Sequence, residues 1–288
     1  GRHLVGGGPG PEDLAERSQV QLRRHGHLPG RGSPLARGEG VDALSLDNVT
    51  TAGVARFQGW ETIDLTNDTE MTFDGALTLG DAGTGAGVLT IDATSTVFAG
   101  DGVNGSIAPF MAGDLVRVVN AGRIDLTNGT SGAEDRFTIT GDYVGDGGLL
   151  FLDTVLGDDS SASDRLVISN GTASGATSIA IQNLGGTGAS TMADGIMVVE
   201  AANGATTDSG AFSLSGRVAA GAFEYFLFRG GVSEGTTDSW YLRSTLVTPP
   251  EDIPAPQPAP APPPLAPPVP PPEPQAPEPP APPPPPPV

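Results

Sequence analysis

The sequence lacks cysteine and lysine, and aromatic residues make up only 5% of its 288 residues. Without thiols there can be no disulfide, no cysteine zinc site and no cysteine nucleophile. No apolar run approaches the roughly 18 to 20 residues that a membrane-spanning helix requires, so we expect no transmembrane helix. The 14 basic residues are all arginine and stand against 34 acidic residues. A formal charge of −20 argues against nucleic-acid binding.

Composition divides the chain into a head, a body and a tail. Residues 1–40 hold all three histidines, have no strand period and contain one short candidate helix near Glu12–Leu22. We expect this head to be disordered or non-native sequence. The body, 41–248, contains a single proline, Pro109, and most of the acidic residues. The tail, 249–288, contains 24 prolines and is expected to form a disordered polyproline II linker without packed contacts.

Short alternating segments dominate the body, and each closes on glycine, asparagine or aspartate. The segment Thr62–Thr66, for example, places Ile63 and Leu65 on one face and polar side chains on the other. A period of two predicts half-buried strands, and the residues between them supply tight turns. The same alternation occurs at 71–73, 77–79, 89–91, 116–118, 124–126, 137–139, 179–181 and 212–214. No sustained period of 3.6 is present, so helices should be rare.

Many short strands suit a β-sandwich, a β-barrel or a β-solenoid, and three features favour the solenoid. The segment IDLTNDT at Ile63–Thr69 recurs as IDLTNGT at Ile124–Thr130, 61 residues later, which would suit two or three coils. The strands are also very short, and the apolar residues are mostly aliphatics that fit a narrow interior. We therefore predict an all-β fold, a right-handed single-stranded parallel β-helix (a pectin-lyase-like solenoid) over about 50–220.

Aromatic residues gather at the end of the body. Six of the 15 lie within 223–241, in the strings AFEYFLFRGG and SWYLRSTL. We predict two strands joined by the loop Gly230–Asp238. Because the last coil of a solenoid exposes an open edge, we interpret this β-hairpin as its C-terminal cap. An ordinary two-stranded core element is the plainer alternative.

Residues Phe137–Ser244 resemble the C-terminal end of pertactin-like autotransporter passengers. The motifs occur in the same order: GDYVGDGG, LGDD before SDRL, GGTG, DGI-VVE, GRV-AGA-EY and WYLRS. The resemblance implies β-helix coils over 41–136 and a passenger or autochaperone segment over 137–248 that folds first and seeds the rest. The expected folding-seed and cap residues are Tyr143, Phe223, Tyr225, Phe228, Trp240 and Tyr241.

The same resemblance implies type V secretion through the periplasm to the outer membrane and the bacterial cell surface. The partners it implies are the chain's own translocator β-barrel, which these residues do not include, and a host or cell-surface receptor. It predicts a non-enzymatic adhesin or stalk-like passenger without cofactors. Residues 1–40 also lack a signal-peptide pattern, so we expect the sequence to be a fragment of a longer protein.

Chemical motifs in the body are scarce. Residues 41–288 contain no histidine, so a Ser–His–Asp triad cannot form there. The alternative function is a β-helix polysaccharide lyase or glycoside hydrolase that uses a carboxylate pair, Asp158 with Asp159 or Asp142 with Asp146. Their glycine neighbours favour turn roles instead, and the scarcity of basic residues argues against a lyase. Aspartate-rich loops could bind calcium weakly, but no ligand set is predicted.

Five Asn-x-Ser/Thr sequences are interpreted as turn asparagines rather than glycosylation sites. They begin at Asn48, Asn67, Asn104, Asn128 and Asn170.

Overall fold

Parallel strands stack on three faces in the computed structural model, which describes residues 19–23, 35–36, 40–129 and 132–246. Face A consists of β1 (Gln19–Arg23), β3 (Ala43–Asp47), β6 (Thr62–Thr66), β9 (Val88–Ile91), β12 (Val116–Asn120), the middle of β14 (Arg136–Thr154), the middle of β15 (Arg165–Asn183) and β17 (Thr206–Thr207). Face B consists of β4 (Thr50–Ala52), β7 (Glu70–Thr72), β10 (Thr96–Phe98), β13 (Arg123–Asp125), the ends of β14 and β15, and β18 (Phe212–Leu214). Face C consists of β8 (Ala76–Leu79), β11 (Ser106–Pro109), the starts of β14 and β15, and β16 (Ile196–Ala202).

A short 3-10 helix (Val54–Arg56) precedes β5 (Phe57–Gln58), which pairs separately with β2 (Leu35–Ala36). The chain then visits faces A, B and C in turn, so each circuit adds one coil. The number of residues in one coil varies. Asn48 is hydrogen-bonded to Asn67 in the next coil, 19 residues later, whereas Thr172 is hydrogen-bonded to Thr206 in the next coil, 34 residues later. This architecture is a parallel β-helix, as predicted.

Aliphatic side chains fill the interior in register. On face A, one ladder runs through Leu44, Ile63, Leu89 and Val118, and each of these residues is 0% exposed. Burying such a side chain fully stabilises the fold by roughly 1.5–3 kcal/mol. Because the coils are stacked, each of these side chains packs against another aliphatic side chain one coil away. The alternation seen in the sequence therefore becomes a continuous core. The next position in this ladder is Tyr143, which ends the aliphatic series.

The strands β14 and β15 differ from the predicted short strands. Each is 19 residues long and follows all three faces without a break. Their corners lie at residues with positive φ, among them Gly147 (φ 78) and Asn170 (φ 63), and the β14–β15 register shifts between Asp146 and Gly148. A bulge bends a strand while its ladder continues on either side, so length is not limited by the corner. The predicted strands at 137–139 and 179–181 are parts of these elements.

An antiparallel unit closes the C-terminal end. The strands β19 (Val218–Ala220), β20 (Phe223–Arg229) and β21 (Trp240–Leu246) pair in sequence, and β21 also pairs antiparallel with β16. The predicted hairpin is therefore confirmed, with the additional strand β19. We call β19–β21 and the loop 230–239 the cap.

Two interpretations of the sequence need correction. Residues Gln19–Arg23 were expected to be helical or disordered, but they form β1 in parallel register with β3, because Val20 and Leu22 alternate in the same phase as Leu44 and Leu46. The repeated IDLTN motif does not mark a coil period, because its first copy lies in β6 on face A and its second in β13 on face B. The remaining expectations for 1–40, and all of those for the tail 249–288, lie outside the described residues.

Candidate functional site: the cap and its contacts with the coils

Trp240 joins the cap to the last coil. It is 4% exposed, and its indole Nε1 donates a hydrogen bond of 2.9 Å to Thr207 Oγ1 in β17. Its ring meets Phe212 of β18 edge-on, with centroids 5.5 Å apart. An edge-to-face pair is favourable because the positive ring edge faces the negative ring face. Trp240 thus covers the end of the hydrophobic interior.

The aromatic contacts continue from the cap into the coils. Phe212 stacks on Tyr143, with centroids 5.9 Å apart and planes 11° from parallel. The Tyr143 hydroxyl accepts a hydrogen bond of 3.0 Å from Asn120 Nδ2 and lies 2.8 Å from Thr177 Oγ1. Burial raises the pKa of this hydroxyl, and its two hydrogen bonds only partly offset the effect. A connected set of buried side chains therefore links β12, β14, β15, β18 and β21.

Two glycines of the GDYVGDGG motif leave room for this network. A Cβ built on Gly145 would lie 2.2 Å from Thr177 Oγ1, and a Cβ built on Gly148 would lie 2.5 Å from Asn120 Nδ2. Real Cβ atoms do not approach that closely, so any side chain at either position would displace the hydrogen-bonded groups. These glycines are required by close packing around the Tyr143 hydroxyl.

Tyr225 ties the cap to two loops. It is 1% exposed, and its hydroxyl donates to the Gly157 carbonyl at 2.9 Å and accepts the N–H of Ala189 at 3.0 Å. Gly157 follows β14, and Ala189 follows β15. One side chain of β20 therefore fixes the loops at the ends of two successive long strands.

The remaining predicted cap residues have different environments. Phe223 is half-buried against the core, and Tyr241 is 2% exposed. Phe228 is 43% exposed on the outer face of the hairpin, where the Arg243 guanidinium lies 5.2 Å from its ring centre. The structure thus brings Tyr143 and Trp240 together through Phe212, while Phe228 lies outside the network.

Polar contacts also hold the cap in place. Thr207 Oγ1 accepts from Arg229 Nε at 3.1 Å as well as from Trp240, and donates to the Asp238 carbonyl at 2.7 Å. Arg229 also forms an ion pair with Asp238. Asp194 accepts the N–H groups of Val232 and Ser233 in the cap loop, at 2.5 and 2.8 Å. Satisfying every bond of the Thr207 hydroxyl is important because an unpaired buried donor costs about 1–3 kcal/mol.

Several members of the network were missed by the sequence reasoning: Asn120, Thr177, Thr207, Phe212 and Asp238. Phe212 was assigned to a strand but not to the cap. Asn120, Thr177 and Thr207 are polar residues at buried strand positions, and Asp238 is a half-buried residue of the cap loop, so the apolar pattern alone carries no signal for them. A polar residue at an inward position, such as Asn120 where Leu46, Leu65 and Ile91 precede it in the ladder, is the feature that could have been noticed.

Of the four carboxylates considered for catalysis, Asp146 is exposed, and the other three accept hydrogen bonds from backbone N–H groups. Asp158 Oδ1 accepts from the N–H and hydroxyl of Ser160, and Asp142 Oδ1 accepts the N–H of Thr172. Asp159 accepts the N–H groups of Met192, Ala193 and Gly195 at 2.7–2.9 Å. Burial alone would raise the pKa of Asp159, but these hydrogen bonds outweigh it and lower the pKa. These contacts fit the turn roles favoured by the sequence.

Turn geometry is confirmed for three of the five asparagines: Asn48 (φ 56), Asn67 (φ 54) and Asn170 (φ 63) have left-handed backbones. Asn128 Oδ1 accepts the N–H of Gly100. In the described ranges, no group of three or more acidic or histidine side chains is arranged to bind a metal ion. The same ranges contain no helix with the length and apolarity needed to cross a bilayer.

The region that carries this network matches a known family. Residues 114–227 match the model of the family described as Autochaperone Domain Type 1. The match begins just before β12 and ends within β20, so it includes Asn120, Tyr143 and Phe212. We call residues 114–227 the autochaperone segment.

Three curated proteins are similar to between about a third and three quarters of the chain. The chain is 35% identical to the Adhesin BmaC autotransporter of Brucella suis over 65% of its own length and 6% of that protein. It is 33% identical to the Probable autotransporter YfaL of Escherichia coli, over 77% of the chain and 17% of that protein. It is 38% identical to the Autotransporter adhesin AIDA-I of Escherichia coli, over 35% of the chain and 8% of that protein.

The resemblance to autotransporter passengers is confirmed. The chain spans only 6% to 17% of the length of these relatives, so each of them is much longer than the matched region. The autochaperone segment starts earlier than the boundary expected at residue 137, and the division at that residue stays a prediction.

Proposed function

We propose that the chain is part of an adhesive autotransporter passenger, and that the autochaperone segment with its cap seeds the folding of the β-helix. The relatives support export to the outer membrane and the cell surface. The names of BmaC and AIDA-I support an adhesive, non-enzymatic role. A translocator in the outer membrane and a receptor on another cell are the partners that this role requires.

The observation that carries the seeding role is the contact of Trp240 with the coils. A β-helix coil has few contacts within itself, because its strands pair with the coils before and after it. The first coil to fold therefore needs a partner that is already ordered. The cap supplies one, since its strands pair antiparallel over short sequence distances and Trp240, Phe212 and Tyr143 extend its packing into β14.

The order of folding follows from the same contacts. Once β14 and β15 are packed on the cap, β12 and β13 can pair with β14, and each earlier coil can then pair with the coil after it. Every later step is the addition of one coil to a formed edge. The chain then loses its conformational entropy one coil at a time, and the apolar surface buried by each added coil offsets that loss.

A display experiment tests this role. The passenger, joined to an outer-membrane translocator, is expressed with Trp240→Ala or with the matched control Phe226→Ala, which truncates a 44% exposed aromatic of the same hairpin. We expect Trp240→Ala to lower the amount of protease-resistant passenger at the cell surface several-fold, and Phe226→Ala to leave it near the wild-type level. If Trp240→Ala were displayed at the same near-wild-type level as Phe226→Ala, the cap would not seed folding.

A further inference from the structure

Four aspartates are buried together in the autochaperone segment. They are Asp125, Asp135, Asp153 and Asp164, each at most 7% exposed. Asp125 ends β13, Asp135 precedes β14, Asp153 lies near the end of β14 and Asp164 precedes β15. We call them the aspartate corner.

Asp164 holds the corner together. It is 0% exposed, its Oδ1 accepts the N–H of Asp135 at 3.0 Å, and its Oδ2 accepts the N–H of Asp153 at 2.8 Å. Its own N–H donates to the Asp153 carbonyl at 2.9 Å. One carboxyl group therefore joins the start of β14, the end of β14 and the start of β15.

The carboxyl groups around Asp164 carry charge of the same sign. The charges of Asp135 and Asp153 act on Asp164, and those of Asp125 and Asp135 act on Asp153. Asp153 Oδ1 is buried and has no hydrogen-bond partner within the described ranges. Each of these features makes the ionised form of the corner less favourable.

Positive charge is scarce around the corner. Arg123 pairs with Asp125 at 2.5 Å. Arg136 and Arg165 follow Asp135 and Asp164 in sequence, but their guanidinium groups lie 3.6 and 3.7 Å from Glu200. Around the corner, Glu134 is exposed, and Asp158 and Asp159 accept hydrogen bonds from turn N–H groups. The pair Thr154 and Ser163 is neutral. Asp164 thus has no cation to offset its charge in the part of the chain that is described.

The electrostatic consequence agrees with this geometry. Burial raises the pKa of Asp164 to about 7, the hydrogen bonds from Asp153 and Asp135 offset part of that effect, and the charges of Asp135 and Asp153 add to it. Burial also raises the pKa of Asp153. The folded chain therefore binds a proton at Asp164 under conditions in which the unfolded chain has released it.

We propose that the aspartate corner is a proton-dependent contact that holds β14 and β15 together more firmly at mildly acidic pH than at alkaline pH. An acid whose pKa is raised by folding contributes stability that is fully present below its unfolded pKa, and that is lost as the pH rises through the folded pKa. The window runs from about 4 to about 7 for Asp164. The corner would act in this way whether or not the chain seeds folding, so its test is independent of the display experiment.

The test measures the folding equilibrium of the full chain against pH. Denaturant unfolding, followed by far-UV circular dichroism, is recorded from pH 5 to pH 8.5 at constant ionic strength for wild type, Asp164→Asn and the control Asp146→Asn. Asp146 is exposed in the same strand, β14. One linked proton shifts the equilibrium by up to about tenfold per pH unit. We expect the wild type and Asp146→Asn to lose stability between pH 5 and pH 7, and Asp164→Asn to lose most of that dependence.

A direct titration keeps the test decisive if Asp164→Asn does not fold. The carboxyl carbon of Asp164 is followed by NMR in the folded wild-type chain, and we expect a midpoint near 7. A midpoint near the ordinary value of about 4 would overturn the proposal. A folded Asp164→Asn variant with the same pH dependence as wild type would overturn it as well.

Discussion

The indole N–H of Trp240 donates to the hydroxyl of Thr207, and this hydrogen bond of 2.9 Å is one of the contacts that join the antiparallel cap to the parallel coils. The Thr207 hydroxyl also accepts from Arg229 and donates to the Asp238 carbonyl. The Thr207 side chain, which is 2% exposed, is therefore hydrogen-bonded to three cap residues.

Replacing Thr207 with valine should destabilise the chain by about 1–3 kcal/mol, because the shape is kept while the buried Trp240 N–H loses its acceptor. The measurement is the denaturant midpoint of the purified chain. Thr206→Val is the matched control, since its hydroxyl faces an exposed partner, Thr172, and its loss should change the midpoint little. A Thr207→Val midpoint equal to that of the control would contradict the role of the bond.

Trp240→Ala should destabilise by about 3–5 kcal/mol, because it leaves a cavity against Phe212 and exposes the end of the interior. Trp240→Phe should lower the free energy of unfolding by less, because most of the ring contact remains and only the N–H is lost. Urea unfolding of the two variants gives both values. If Trp240→Ala destabilised the chain no more than Trp240→Phe, the Trp240 ring would not be packed against Phe212 as described.

Gly148→Ala should destabilise through overpacking, by about 1–3 kcal/mol, because the added methyl group would displace the Asn120 side chain from Tyr143. Gly216→Ala is the control, since nothing lies within 4 Å of a Cβ built there. Thermal midpoints compare the two. The expected signature is a lower midpoint for Gly148→Ala alone, and a shift of equal size in both variants would refute the packing argument.

Asp159 should contribute stability with the opposite pH dependence to Asp164. Its folded pKa is lowered, so its contribution is present above the unfolded pKa and is lost as the pH falls through the folded value. The difference in midpoint between wild type and Asp159→Ala should therefore be largest near neutral pH and shrink towards pH 3. Asp146→Ala serves as the exposed control, and a difference that grew on acidification would contradict the assignment.

A fragment of residues 114–248 should fold alone, and more stably than 137–248. The longer fragment retains β12 and β13, which pair with β14, and Asn120, which binds the Tyr143 hydroxyl. Residues 41–136 alone should be poorly stable, because their last coil would expose the edge that pairs with β14. Circular dichroism and denaturant unfolding of the three fragments check the order, and a cooperative, stable 41–136 would contradict it.

The fold could be predicted from the sequence because the alternation of apolar and polar residues that specifies each strand is a local pattern. Alternation at Ile63 and Leu65, or at Phe137 and Ile139, specifies a strand face without reference to the rest of the chain. The hairpin was equally visible, since its two strands are separated by one short loop.

The network inside the cap depends on contacts between distant residues and could not be predicted in the same way. Asn120 meets Tyr143 across 23 positions, and Trp240 meets Thr207 across 33. The family resemblance pointed to the aromatics but could not say that Phe228 would lie on the outer surface. Aromatic residues are also buried in the earlier coils, at Phe57, Trp60 and Phe73.

The antiparallel pairing of β21 with β16 limits how such molecules can assemble. The edge of β16 that would accept another parallel coil is already occupied, and Asp238 covers Thr207 on the neighbouring face. Fibre growth requires two complementary ends on each molecule, so that every copy can bind one ahead and one behind. Because β21 occupies this edge, a second copy cannot add a parallel strand to β16, and a filament held together by that contact cannot grow.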